Sequence, residues 1–339
     1  MKRWQFWLGV IISLVFIYLA LSGLQLEDVW QIVHAADFIW LLPAVVVFIF
    51  GIFFRSIRWK ILLGQRNLDL LKILFPVINI GYFGNNVFPA RAGEILRAVV
   101  LKQRAQIPFS ESFASIIIER VFDGLVMLGF VLLNINIFSK HSLDTQLTQN
   151  ITEIAQIAAI VFLCLFFLFF LIAIFPKKAS GFFGFLIQHL LPSAWQKGIN
   201  TIVQQFFDGL NIMRSPLSMV SVIALSIIIW TNETVVYWCL VQAFRLDLQF
   251  TDLLFLNGSL NIITSIPSAP GYIGTFDALG IAILSALGLM PEIAAGYILT
   301  LHVTLWLPVT LLGAFYFAKE SIRWTEAIKM GKHIGEKKP

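Results

Sequence analysis

Cysteine is nearly absent from this sequence: Cys164 and Cys239 each stand alone in an apolar run, with no Cys or His at ligand spacing. That excludes a disulfide framework and a cysteine-held metal. Charge is scarce as well, at 13% of residues, against about 25% in an average soluble domain. No Walker motif occurs, so ATP hydrolysis is not the driving reaction. No linker, low-complexity stretch or second domain interrupts the chain, and no segment reads as a cofactor, metal or nucleic-acid site.

What replaces charge is apolar bulk. The 339 residues are 58% hydrophobic and include 32 Phe, far more than a water-soluble core needs. Apolar runs of about 20 residues, enough to cross a hydrocarbon core of about 30 Å, occur at 5–24, 38–63, 113–138, 154–175, 219–243 and 294–317. The first resembles an uncleaved signal anchor, because it is long and no small-x-small cleavage site is obvious. Two further stretches, 73–100 and 253–289, are cut near the middle by Pro and Gly clusters, and each half offers only about 18 to 24 Å of helix. Such halves suit re-entrant hairpins better than crossings.

The expected fold is therefore an all-α polytopic membrane protein, one domain over 1–339, with about six full transmembrane helices and two re-entrant broken-helix hairpins. Placing both hairpins as re-entrant puts most Lys and Arg on one side, so the positive-inside rule sets both termini in the cytoplasm. It also makes 38–138 and 219–317 an inverted repeat, an arrangement typical of alternating access. Residues 177–215 read as a cytoplasmic amphipathic connector, with Ile199, Ile202, Val203, Phe206, Phe207 and Leu210 on one face.

Broken backbone inside hydrocarbon is tolerated only where it is buried in protein or lines a cavity. The two breaks therefore mark the candidate site. The first runs from Asn85 and Asn86 through Pro89, Arg91, Gly93 and Glu94; the second runs from Asn261 through Pro267, Pro270, Gly271 and Gly274. The Pro and Gly residues are the expected hinges. Arg91, Glu94 and Arg97 recur every three residues and share one stripe of the half-helix after Pro89. Free amides in its first turn, together with Arg91, would hold a phosphate or carboxylate.

The apolar run 113–138 carries Glu119, Arg120 and Asp123, about 10 to 16 Å deep by helical rise. Ionisable groups at that depth cost about 2.5–3.5 kcal/mol each, so they mark partners or function. Glu94, Glu119 and Asp123 balance Arg91, Arg97 and Arg120 in number. Two readings follow: a buried network pinning the first hairpin to the helix, or charges that exchange protein partners for a headgroup.

In the second half, Glu233 and Asp277 have no intramembrane Lys or Arg within their own repeat. Each is a candidate to carry a coupling proton. The alternatives are that Glu233 reaches an Arg of the first half and that Asp277 caps a helix or lines a vestibule. His302 reads as a hydrogen-bonded packing residue.

Three ordered motifs, 89–97 (PARAGEILR), 119–123 (ERVFD) and 270–277 (PGYIGTFD), resemble the flippase-like membrane family typified by the transmembrane region of lysylphosphatidylglycerol synthases. The resemblance implies movement of a lipid or lipid-linked headgroup, an anionic phospholipid or a polyprenyl-phosphate-linked sugar, between leaflets of the cell membrane. It assigns Arg91, Glu94, Arg97, Glu119, Arg120 and Asp123 to the site. Tyr272 and Asp277 depart from that family's second motif, which has Gly and Glu there. Bifunctional relatives carry an aminoacyl-transferase domain after the membrane part, so a separate lipid-modifying enzyme is the expected partner. The expected protein is a transporter and not an enzyme. The alternatives are an integral-membrane transferase using Glu119 and Asp123, or a carrier of a small soluble anion.

Overall fold

The computed structural model describes residues 24–64, 67, 69–88, 92–141, 145–190, 192–264 and 270–335. Nearly all of the expected span 5–24, and Pro89, Arg91 and Pro267, lie outside the described residues. The rest is helical, with no strand among the described residues.

A short helix α1 (Leu26–Ala35) leads through a 3-10 turn into α2 (Leu41–Leu62). A π-helical turn at Leu70–Leu74 follows, started by the Asp69 carboxylate, which accepts the amides of Leu71 and Lys72. It runs straight into α3 (Phe75–Val87), and α4 (Ala92–Ala105) completes the first broken stretch. Then come α5 (Phe109–His141), α6 (Thr145–Ile174), α7 (Pro176–Leu190) and α8 (Ser193–Gly209). The last two occupy the expected amphipathic connector. In the second half, α9 (Pro216–Phe244) begins at a Ser215 cap with Pro216 in its first turn. The second broken stretch is α10 (Phe250–Thr264), a 3-10 turn at Pro270–Tyr272 and α11 (Thr275–Ala286), and α12 (Pro291–Gly335) closes the chain.

Among the described residues, four segments are long and apolar enough to cross a membrane: Phe38–Leu62, Thr145–Ile174, Pro216–Phe244 and Pro291–Glu320. The 33-residue α5 has the length too, about 50 Å at helical rise, but it carries the Glu119, Arg120 and Asp123 charges. The four halves of the broken stretches have 13, 14, 15 and 12 residues, each below the length of a crossing. Helix α6 lies at the periphery, with only 6% of its apolar window buried, which is what a lipid-facing helix requires.

Packing is reciprocal between the halves. Helix α2 runs along α9, α3 packs on α12, and α10 packs on α5. Interchanging α2 with α9, α3 with α10, α4 with α11 and α5 with α12 carries this set of pairings onto itself. Each crossing is opened by a missing side chain. Gly313 of α12 faces the Asn79 carbonyl of α3, Gly258 of α10 faces the Met127 carbonyl of α5, and Gly51 of α2 faces Asn232 of α9. Next to Gly258, the rings of Phe138 and Phe255 stack at 4.1 Å.

Hairpin one is the tightest of these approaches. Gly81 and Gly84 on α3 meet Gly93 on α4, and a Cβ on Gly93 would overlap the Gly81 carbonyl oxygen. The Gly93 amide, which no helical carbonyl serves, donates to Asn85 Oδ1 at 2.9 Å. That explains why an Asn sits across the turn from a Gly.

Candidate functional site

The two broken stretches meet over a cavity of about 140 Å³. Hairpin one contributes Asn85, Asn86 and Glu94, and hairpin two contributes Asn261, Thr264, Gly271 and Tyr272. Arg55 of α2, Arg120 of α5, Glu233 of α9 and His302 of α12 complete its polar wall, while Phe48, Leu305 and Trp306 are among the apolar residues. A second cavity of about 190 Å³ adjoins it, and Arg120, Trp230 and Asn261 line both. Met127, Phe162 and Ile262 supply the apolar part of that second lining, and Asp123 adds a carboxylate to it.

Beneath the cavity lies a lattice of ion pairs. Arg97 holds Glu119 through two hydrogen bonds of 3.0 Å each, the bidentate geometry that favours Arg over Lys. Arg58 binds Asp123 at 2.5 Å and Ser226 Oγ at 2.7 Å, and lies 3.5 Å from Glu119. The Trp230 indole N–H donates to the same Asp123 oxygen at 2.7 Å. Arg120 pairs with both Glu119 and Asp123. Arg55 binds Glu233 at 2.7 Å and lies 5.0 Å from the Trp230 ring centroid.

Exposure separates these cations. The side chains of Arg55, Arg58 and Arg97 are 4%, 0% and 8% exposed, whereas Arg120 is 33% exposed. Arg58 and Arg97 are therefore framework, Arg55 lines the cavity while nearly buried, and Arg120 is the most exposed of the four. Arg55 also retains an unpaired donor, since its Nη1 is buried with no hydrogen-bond partner.

Hairpin two is anchored differently. Asp277 Oδ2 accepts the Gly274 amide at 2.8 Å and caps α11. Its Oδ1 lies 2.7 Å from His302 Nδ1, and His302 Nε2 lies 2.8 Å from the Gly271 carbonyl oxygen. The turn itself needs positive φ at Gly271 (69°) and Gly274 (89°), values that favour glycine. Across the site, Asn86 of hairpin one donates to Thr310 of α12 at 2.7 Å.

The structure thus gathers Asn85, Asn86, Glu94, Arg120, Glu233 and Gly271 on one cavity wall. Arg97, Glu119 and Asp123 sit behind it, and Asp277 reaches it only through His302. Of the two readings open for Glu233, the geometry is that of the cross-half pair, with Arg55. Asp277 takes the capping position.

Arg55, Arg58 and His302 are the residues that sequence reasoning left out. The two arginines sit near the end of a long apolar run and read as flanking cytoplasmic charge. Their signal was available: Arg55 and Arg58 are three apart, so they share a face that continues into the span. His302 of α12 carried no such pattern, because its partner Asp277 lies on α11 of hairpin two.

Comparison with known proteins bears directly on this arrangement. Residues 6–313 match the family described as lysylphosphatidylglycerol synthase TM region. The chain belongs to that family. Over 332 residues it is 23% identical to UPF0104 membrane protein MJ1595 of Methanocaldococcus jannaschii, covering 95% of this chain and 96% of that one. UPF0104 membrane protein PH1989 of Pyrococcus horikoshii is 20% identical over 328 residues, 92% of this chain and 96% of that one. A shorter match, 33% identical over 122 residues, is to glycosyltransferase AglD of Haloferax volcanii; it covers 36% of this chain and 20% of that protein. The aligned segment thus spans about one fifth of that glycosyltransferase. No solved structure matches.

Proposed function

We propose that this membrane protein moves an anionic headgroup, of a phospholipid or of a polyprenyl-phosphate-linked lipid, from one leaflet to the other. The headgroup enters the cavity between the hairpins while its acyl chains stay in lipid. The observation that carries this reading is the exposure of Arg120 into a cavity lined by both hairpins. An arginine already paired to Glu119 and Asp123 can trade one protein carboxylate for a phosphate oxygen without losing its counter-charge. The unpaired Arg55 donor at the same wall supports a second contact.

The reciprocal packing supports an inverted repeat working by alternating access, with both termini cytoplasmic. In that scheme the ion-pair lattice, with hairpin one fastened to it through Arg97 and Glu119, is one body, and hairpin two, built from helices of 15 and 12 residues, moves against it. In this reading the protein acts as a transporter.

Leaflet exchange of fluorescent phosphatidylglycerol and phosphatidylcholine in proteoliposomes tests the reading, with wild type compared against Arg120→Gln and Glu94→Gln at matched reconstitution. Exchange that prefers the anionic lipid and falls at least tenfold in Arg120→Gln supports it. Absence of exchange across anionic lipids and polyprenyl phosphates, with folded protein, removes it.

A further inference from the structure

The hydrogen bonds of His302 do not balance without an additional proton. A carbonyl oxygen only accepts, so the 2.8 Å contact to Gly271 makes His302 Nε2 the donor. Asp277 Oδ2 is already taken by the Gly274 amide. There remains the 2.7 Å contact between His302 Nδ1 and Asp277 Oδ1. In a neutral imidazole protonated at Nε2, Nδ1 is a bare lone pair, and a carboxylate oxygen offers only lone pairs in return. The contact needs one proton between them, whether it resides on nitrogen or on oxygen.

The charge of the unit follows from that count. With the proton, imidazolium plus carboxylate or imidazole plus carboxylic acid sums to zero. Without it, the unit carries one negative charge on side chains that are only 14% and 5% exposed. The charged groups sharing the cavity wall with His302 are Arg55 from α2, Glu94 from α4, Arg120 from α5 and Glu233 from α9, with the phenols of Tyr82 and Tyr272. Helix α1 also packs on α12, but near Gly296, and its residues do not line the cavity. An unprotonated unit therefore adds a third carboxylate charge beside the two cavity arginines. A protonated one leaves them to an incoming anion.

We infer that His302 and Asp277 form a proton-binding site linked to the anion cavity, whose proton occupancy rises, by at most one proton, as a phosphate-bearing anion binds near Arg120. The inference rests on the anion-binding reading of the cavity proposed above. Linkage makes the effect mutual: the proton strengthens anion binding by the factor by which the anion strengthens proton binding. The same proton ties α11, α12 and the Gly271 turn together, so loading the cavity also fastens hairpin two.

Calorimetric titration of the full-length protein in detergent, in two buffers of different ionisation heat, counts the protons taken up per anion bound. The probe is short-chain phosphatidylglycerol, with glycerol phosphate in a parallel series. Below full protonation the wild type is expected to take up a sizeable fraction of one proton, and Asp277→Asn and His302→Gln almost none. Uptake with the lipid alone assigns the site to a headgroup on its chains; uptake with both probes assigns it to a soluble phosphate as well.

Nitrogen NMR of histidine-labelled wild type covers the case in which the variants fail to fold. The chain has five His, so the His302 signals are tractable, and a hydrogen-bonded proton at Nδ1 is expected together with an N–H at Nε2. Equal uptake in all three proteins, or a His302 Nδ1 that carries no proton bond, overturns the inference. These equilibrium readouts do not require lipid to cross. Proton uptake without leaflet exchange would remove the translocation reading and leave this site standing, and exchange without uptake would do the reverse.

Discussion

Arg97 grips Glu119 with both terminal nitrogens at 3.0 Å while its guanidinium carbon lies 4.2 Å from the centroid of the Trp59 ring. One side chain therefore joins hairpin one to α5 and to α2. Removing it leaves Glu119 in a site where its side chain is 2% exposed. Arg97→Ala is expected to lower unfolding stability by about 3–5 kcal/mol, with Arg97→Lys recovering only part because the fork is lost. Thermal unfolding in a mild detergent measures this, and a wild-type midpoint for Arg97→Ala would refute the framework role.

Arg55 and Glu233 form the cross-half pair, 178 residues apart in sequence and 2.7 Å apart in space. Each single substitution strands a buried charge. Arg55→Gln with Glu233→Gln should therefore be less damaging than the sum of the singles, with a coupling energy of about 2 kcal/mol. A double-mutant cycle on unfolding decides; additivity within about 0.5 kcal/mol would mean that the two side chains do not interact.

Two glycines of contrasting surroundings should behave oppositely. A Cβ on Gly93 would strike the Gly81 carbonyl oxygen, whereas nothing lies within 4 Å of one on Gly129 in α5. Gly93→Ala is expected to cost about 1–3 kcal/mol by overpacking. Gly129→Ala is expected to gain about 0.5–1 kcal/mol from helix propensity. Equal melting curves for the two variants would refute the close α3–α4 approach.

The hairpin-two turn is the most exacting backbone position. Gly271 has φ of 69°, and a Cβ there would come 2.8 Å from Trp306 Nε1. Gly271→Ala should lose about 1–2 kcal/mol for the left-handed conformation alone and displace Trp306 from the cavity wall. Tryptophan fluorescence quenching by a water-soluble quencher reads that displacement. Unchanged quenching and stability together would mean that the turn is not built as described.

Much of the scaffold is written in local pattern. Six long apolar runs and two broken stretches were expected, and among the described residues the structure has four segments long and apolar enough to cross and two pairs of half-helices. That much is legible because length against bilayer thickness is a one-dimensional property. The cluster of Glu119, Asp123 and Arg97 was legible for the same reason: charge in an apolar run stands out. Arg55 and Arg58 were not, since an arginine near a span end looks the same whether it snorkels outward or turns inward to Glu233 and Asp123. The partner decides, and it lies on α9 or α5. His302 illustrates the point further: its neighbours in sequence are apolar, and only the folding of hairpin two brings Asp277 and the Gly271 carbonyl to its two nitrogens. The expectation that it is a hydrogen-bonded packing residue captured its bonding and missed its place on the cavity wall.

The packing of α3 on α12 sets the order of events at the ribosome. Asn86 emerges 224 residues before Thr310, which at ordinary synthesis rates is on the order of 10–45 s. During that interval the first hairpin sits at the bilayer with the Asn86 amide and the Asn79 face of α3 waiting for a wall that does not yet exist. The protein can close its first half only when its last crossing helix arrives, so chains interrupted before α12 would leave the membrane with an unfinished, polar wound and not with half a working machine.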